Sequence, residues 1–117
     1  VNDKFILMGK EKDLLIYLEQ YVFHEIPKNE KVLRDNLTSE IYETIKNTAR
    51  ISVNKGNIRV KYINDIKVNI MMIDFYLGII KLKKYIINKR FLSSIKKLEE
   101  VRRIVSGLER GIDEECL

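Results

Sequence analysis

Between Asn57 and Asn88 apolar residues return in two interleaved rows, and a chain carrying such a segment has few ways to fold. Ile63, Ile66, Ile70, Ile73, Leu77, Ile80 and Ile87 form one row, and Val68, Met72, Phe75, Ile79, Leu82 and Ile86 form the other. Both advance by the alternating steps of three and four that mark a helical face. At about 100° per residue the rows are displaced by about 140°, on a helix about 45 Å long. A helix in a monomeric bundle needs one apolar stripe. A second full row therefore implies burial against a further surface, most economically another copy of the chain. The competing reading makes both rows one wide internal face.

Three more segments share the helical period. Leu15, Leu18, Val22 and Ile26, widened by Leu14, Tyr21 and Phe23, predict a first helix over 13–26 with Asp13 as N-cap and Pro27 ending it. Leu33, Leu37, Ile41, Ile45, Thr48 and Ser52 predict a second, capped by Asn29 and terminated by Asn54-Lys55-Gly56-Asn57. After a break at Asn88-Lys89-Arg90, Phe91, Ile95, Leu98, Val101, Val105, Leu108 and Ile112 predict a fourth, with Gly111 as C-cap. Four helices on short connections make an all-α, up-down-up-down four-helix bundle over 13–112, with an N-terminal extension at 1–12 and a tail at 113–117. Met8 is a candidate start, so the seven residues before it are set aside.

Composition narrows the chemistry. In 117 residues there are one Pro and five Gly, which argues against a linker or a turn-rich all-β fold. One His and one Cys, His24 and Cys116, stand at opposite ends of the chain, so neither a zinc site nor a Cys–His or Ser-His-Asp set can be assembled. The single Cys suits a reducing compartment, and Phe5-Ile6-Leu7-Met8 is too short for a signal-peptide core or a membrane span. A cytoplasmic protein without a membrane partner is expected. The five glycines are isolated, so no phosphate loop or dinucleotide fingerprint occurs. Glu40 with Glu43, or Glu99 with Glu100, read as surface acids rather than catalytic pairs. No cofactor, metal or catalytic residue is expected, and the chain reads as a non-enzyme.

Charge is segregated. Residues 1–45 carry six Lys/Arg against nine Asp/Glu, residues 46–103 carry fifteen against four, and residues 104–117 carry one against four. Such a basic block is the footprint of a phosphate-backbone binder, with a solvated helix face as the plain alternative. The candidate contacts are Lys46, Arg50, Arg59, Lys81, Lys84, Lys89, Arg90, Lys96 and Arg103. Lys89, Lys96, Arg103 and Arg110 recur every seven residues. Two of these face acids four positions away, Lys96 with Glu100 and Arg103 with Glu99, so the row also reads as an ordinary ion-pair ladder. Of the six tyrosines, Tyr62 and Tyr85 lie inside the basic block and are the two candidates for stacking on bases. The second row of the third helix, Val68, Met72, Phe75, Ile79, Leu82 and Ile86, is the candidate oligomer interface.

The order of Ile26-Pro27-Lys28-Asn29-Glu30-Lys31, Ile41-Tyr42-Glu43, Asp74-Phe75-Tyr76-Leu77, Lys84-Tyr85-Ile86-Ile87-Asn88-Lys89-Arg90-Phe91 and Leu98-Glu99-Glu100-Val101-Arg102-Arg103 resembles a bacterial four-helix-bundle family. That family includes the accessory variability determinant (Avd-like) proteins of diversity-generating retroelements and proteins encoded within intervening sequences of large-subunit ribosomal RNA genes. The resemblance spans about residues 13–110. It implies a homopentameric barrel with a positive surface that binds RNA or DNA and, in retroelement members, a reverse transcriptase. The chain departs from the family pattern at Ser106-Gly107-Leu108, where relatives commonly carry paired glycines and a Trp, and at Gly78, where many carry a basic residue. The alternative function, from another class, is a helical scaffold docking an acidic protein partner.

Overall fold

The computed structural model describes residues 3–116, with side chains from residue 6 to residue 112. Four helices follow one another, α1 (Asp3–Tyr21), α2 (Lys31–Val53), α3 (Ile58–Leu82) and α4 (Asn88–Cys116), with 3₁₀ turns at Phe23–Glu25 and Lys28–Glu30 between the first two. No strand occurs among the described residues. Cross-helix partners run in opposite senses. Glu100 of α4 meets Lys10 of α1 while Arg90 reaches Tyr21. Asn69 of α3 meets Glu40 of α2 while Lys83 reaches Glu30. Neighbouring helices are therefore antiparallel, in an up-down-up-down bundle of 47 × 24 × 19 Å with α1 and α3 on one diagonal. Among the described residues no helix is long and apolar enough to cross a membrane.

The first helix starts ten residues earlier than the expected Asp13, which is exposed in mid-helix rather than capping it. Leu7 is fully buried, so the residues set aside as an extension contribute to the core. The reason is Glu11. The buried row of α1 is Leu7, Glu11, Leu14 and Leu18, continued by Val22 just past the helix end, and a carboxylate in its second position breaks the apolar stripe. At the other end Ile26 is extended (φ −79°, ψ 122°), as the following proline requires.

Asn29 falls within a 3₁₀ turn, and Glu30 takes the N-cap position of α2 without a capping side-chain bond. The expected face of α2 steps mostly by four and so drifts about 40° per step. The buried face corrects this with steps of three, through Leu37, Ile41, Thr44, Thr48 and Ile51, leaving Ile45 half-buried and Ser52 exposed.

Between α3 and α4 the break comes at residues 83–87, earlier than the expected Asn88-Lys89-Arg90. Lys84 adopts φ 61°, and the Tyr85 N–H donates to the Ile80 carbonyl while the Lys84 N–H donates to that of Lys81. This is a Schellman cap with lysine where glycine is usual. Tyr85 Oη and Lys83 Nζ both donate to the Glu30 carboxylate, at 2.9 and 2.5 Å, and tie the turn to the start of α2. At its far end α4 runs through Gly111 rather than stopping there.

Candidate nucleic-acid interface

On α4 the buried positions Ser94, Leu98, Val101 and Val105 fix which way the helix faces. Lys89, Lys96 and Arg103 point nearly opposite to them, all exposed, on one line with about 10 Å between successive cations. The ion-pair ladder expected along this row is absent. Glu100 instead takes Lys10 of α1 at 3.3 Å, and Glu99 takes Arg102, which also lies 3.8 Å from Asp74 of α3. The flanking acids lean sideways to neighbouring cations, and among the described residues Lys89, Lys96 and Arg103 make no ion pair.

The other six candidate cations do not join this row as one patch. Arg50 donates to Asn47 Oδ1 at 2.6 Å, lies 3.6 Å from Glu43 and stands 5.9 Å over the Tyr62 ring. Lys46 pairs with the same Glu43 at 3.5 Å, and Arg59 Nε donates to the Gly56 carbonyl. Lys81 caps the Phe91 ring at 4.5 Å, Lys84 is exposed in the turn, and Arg90 donates to the Tyr21 carbonyl at 3.1 Å. Arg59 and Lys83 are separated by almost the whole of α3, about 36 Å, so Arg50 and Arg59 serve one end of the bundle and Lys81, Lys84, Lys89 and Arg90 the other.

The two rows of α3 part company. Ile63, Ile66, Ile70, Ile73, Leu77 and Ile80 are buried, whereas Val68, Phe75 and Leu82 are 56, 59 and 80% exposed. They are not one wide internal face. Met72 and Ile79 are half-buried. Ile86 and Ile87 leave the pattern because the helix ends before them: Ile86 is 8% exposed and belongs to the core, and Ile87 is 63% exposed. Ile86 is therefore removed from the candidate interface, and Met71, 67% exposed, is added. From Asn64 to Leu82 the central strip of the outward face of α3, made of Asn64, Val68, Met71, Met72, Phe75, Gly78, Ile79 and Leu82, carries no charge, and the exposed Lys67 and Asp74 stand along one edge of it. A shallow trough of about 520 Å³ runs along it between Met71, Phe75 and Leu82, open above Gly78 and bordered by Asp74.

Tyr85 spends its hydroxyl on Glu30 and packs against the core, so it is a structural tyrosine. Lys83 and Tyr85 hold the Glu30 carboxyl below its usual range, and the same contact raises the Lys83 ammonium and the Tyr85 phenol above theirs. Tyr62 is half-buried beneath Arg50 and Lys61. An aromatic–cation cluster that the sequence does not announce joins α1 to α4: Lys97 Nζ lies 5.5 Å from the Tyr17 ring and Arg90 5.7 Å from the Tyr21 ring. Its signal is hidden because both tyrosines lie in the acidic third of the chain and meet the basic block only through packing.

Glu11 is 1% exposed inside the bundle, and burial away from any charged partner pushes its carboxyl up to about 8. The Thr48 hydroxyl lies 2.7 Å from Glu11 Oε2 and 3.1 Å from the Thr44 carbonyl. One hydroxyl proton serves one acceptor. A proton on Glu11 Oε2 lets the carboxyl donate to Thr48 while Thr48 donates to Thr44, and it spares the unpartnered Oε1 a full charge. Nearby, Asn47 donates to Asn69, which donates to Glu40. His24 is exposed and lies 3.3 Å from Glu25; the Cys116 side chain falls outside the described residues. No group of three metal-ligating side chains occurs among the described residues. No protein-family model, curated protein or solved structure matches the chain.

Proposed function

We propose that this chain is a non-enzymatic, oligomeric nucleic-acid-binding accessory protein, holding phosphates with the outward cations of α4 and its own copies with the outward face of α3. The observation that carries the reading is the row Lys89, Lys96 and Arg103, exposed on one line with no acid drawn onto it. Exposed ion pairs add little to stability, so leaving these cations unpaired costs the fold almost nothing and keeps them available to phosphates. Binding of this kind releases counterions and reads little sequence, and several copies in one particle raise the effective concentration of contacts. The resemblance to the Avd-like family adds the homopentamer and, in a retroelement, a reverse transcriptase partner, and the single Cys adds a cytoplasmic setting. Arg50 and Arg59 are secondary contacts at the far end of the bundle, with Lys46 one turn of α2 nearer its middle.

Light scattering of the protein alone, then with a short RNA and a short DNA duplex at low and physiological salt, tests the reading. A mass near five chains that grows with nucleic acid and reverts as salt rises is the expected result. A monomer that ignores both nucleic acids overturns it. The alternative, a scaffold for an acidic protein, draws on the same free row and the same apolar face; an oligomer without nucleic-acid affinity at physiological salt favours it.

A further inference from the structure

At the end of the bundle where α1 finishes and α4 begins, Tyr17, Tyr21, Ile87, Lys89, Arg90 and Ser93 surround an open concavity of about 440 Å³. Its apolar walls are two phenol rings, 4.9 Å apart between centroids and inclined at 44°, and the exposed side chain of Ile87. Its rim is cationic. Lys89 makes no ion pair among the described residues, Arg90 leans over the Tyr21 ring, and Lys97 stands over Tyr17. Glu25 is the one acid that reaches a rim cation among the described residues, 3.4 Å from Arg90 and shared with His24. Glu19, two residues from each tyrosine, lies about 160° around α1 from both.

We infer that this concavity is a subsite for one unpaired nucleotide of a single-stranded nucleic acid, with its base against Tyr21 and Ile87 and its phosphate between Lys89 and Arg90. The inference rests on the nucleic-acid reading above and narrows its ligand. Tyr21 is 44% exposed, so its ring presents area to a ligand, and an aromatic wall beside Lys89, which has no ion pair among the described residues, and Arg90, which shares Glu25 with His24, matches the two halves of a nucleotide. Bases inside a duplex show their faces only to each other, so a ring set within a concavity meets a base face only where the strand is unpaired. Lys89 belongs to both the concavity and the α4 row, so a strand whose phosphates follow that row from Arg103 through Lys96 to Lys89 delivers its next base to Tyr21.

The test compares a short DNA single strand with a duplex carrying the same number of phosphates, on the full chain and on Tyr21→Ala, Tyr21→Phe and Glu25→Gln. The single strand loses roughly five- to 150-fold in affinity with Tyr21→Ala and keeps it with Tyr21→Phe, while the duplex is unchanged. Glu25→Gln, which removes the acid competing for Arg90, tightens single-strand binding. The chain has no Trp, so quenching of tyrosine fluorescence by the strand, reduced in Tyr21→Ala, reports stacking directly. Equal changes for strand and duplex, or none, overturn the subsite and leave the nucleic-acid reading standing. Failure of the unaltered chain to bind either one at low salt overturns both.

Discussion

Replacing Glu11 by Gln should make the bundle more stable, and the gain should grow with pH. The folded protein holds a proton on Glu11 up to about pH 8, while the unfolded chain releases it around the ordinary value of 4.5. Between those limits the folded state binds one proton more than the unfolded state, so stability falls as pH rises, by about 1.4 kcal/mol per pH unit. Over the window the loss reaches roughly 5 kcal/mol, a large part of the ~5–15 kcal/mol that holds an ordinary domain together. Glutamine keeps the shape, donates from its amide nitrogen to Thr48 where the protonated carboxyl does, and carries no proton to lose. The two proteins should have similar stability at pH 4.5 and separate steadily to pH 8, where the variant melts roughly 20 °C higher. Urea unfolding followed by circular dichroism, at one protein concentration and several pH values, measures the difference. A constant offset between the two proteins from about pH 5 to about pH 9 would refute the assignment of a buried proton to Glu11, and with it the hydrogen-bond chain through Thr48 to the Thr44 carbonyl.

Reversing Lys89, Lys96 and Arg103 to Glu should abolish nucleic-acid binding and leave the melting temperature within a few degrees; unchanged affinity in a filter or anisotropy assay removes the α4 row from the interface. Phe75→Asp with Leu82→Lys places charges on the exposed face of α3, where a monomer tolerates them within about 0.5 kcal/mol each. Light scattering should report dissociation to single chains, and an unaltered mass would mean that copies meet elsewhere. Lys84→Gly relieves a left-handed residue and should stabilise by about 1 kcal/mol in denaturant unfolding, against a loss if the Schellman cap is not formed.

The helix count, the antiparallel order and most of the core are legible because the apolar residues around Leu18, Ile41, Ile70 and Leu98 return at steps of three and four for several turns. Legibility fails where a polar residue occupies a core position. Glu11 conceals the first ten residues of α1, since an acid in an apolar stripe reads as the end of the stripe until its partner, Thr48, is known. The α3–α4 break is misplaced because Tyr85-Ile86-Ile87 keeps the apolar rhythm after the helix has stopped, and a non-glycine residue in the left-handed cap gives no warning in sequence. At the candidate interface, the spacing of the α4 row is readable, but the partners of its acids are not: the i,i+4 rule looks along one helix, whereas Glu100 finds Lys10 across to another. The Tyr17–Tyr21 cluster is invisible for the same reason.

The outward apolar face of α3 also bears on how the protein can be made. Residues of α3 leave the ribosome before α4 exists to cover Ile70 or Leu77, so a nascent chain at that stage shows apolar surface on nearly opposite sides of one helix. Arg59, Lys61, Asp65, Lys67, Asp74 and Lys81 are the charges interspersed along it, and they act as gatekeepers against clumping of unfinished chains. Completion of α4 shields only one side. Where copies of the chain meet on the other side, as proposed above, the concentration of finished chains, and so the rate of expression, becomes a control on whether the product is an assembled particle or an aggregate.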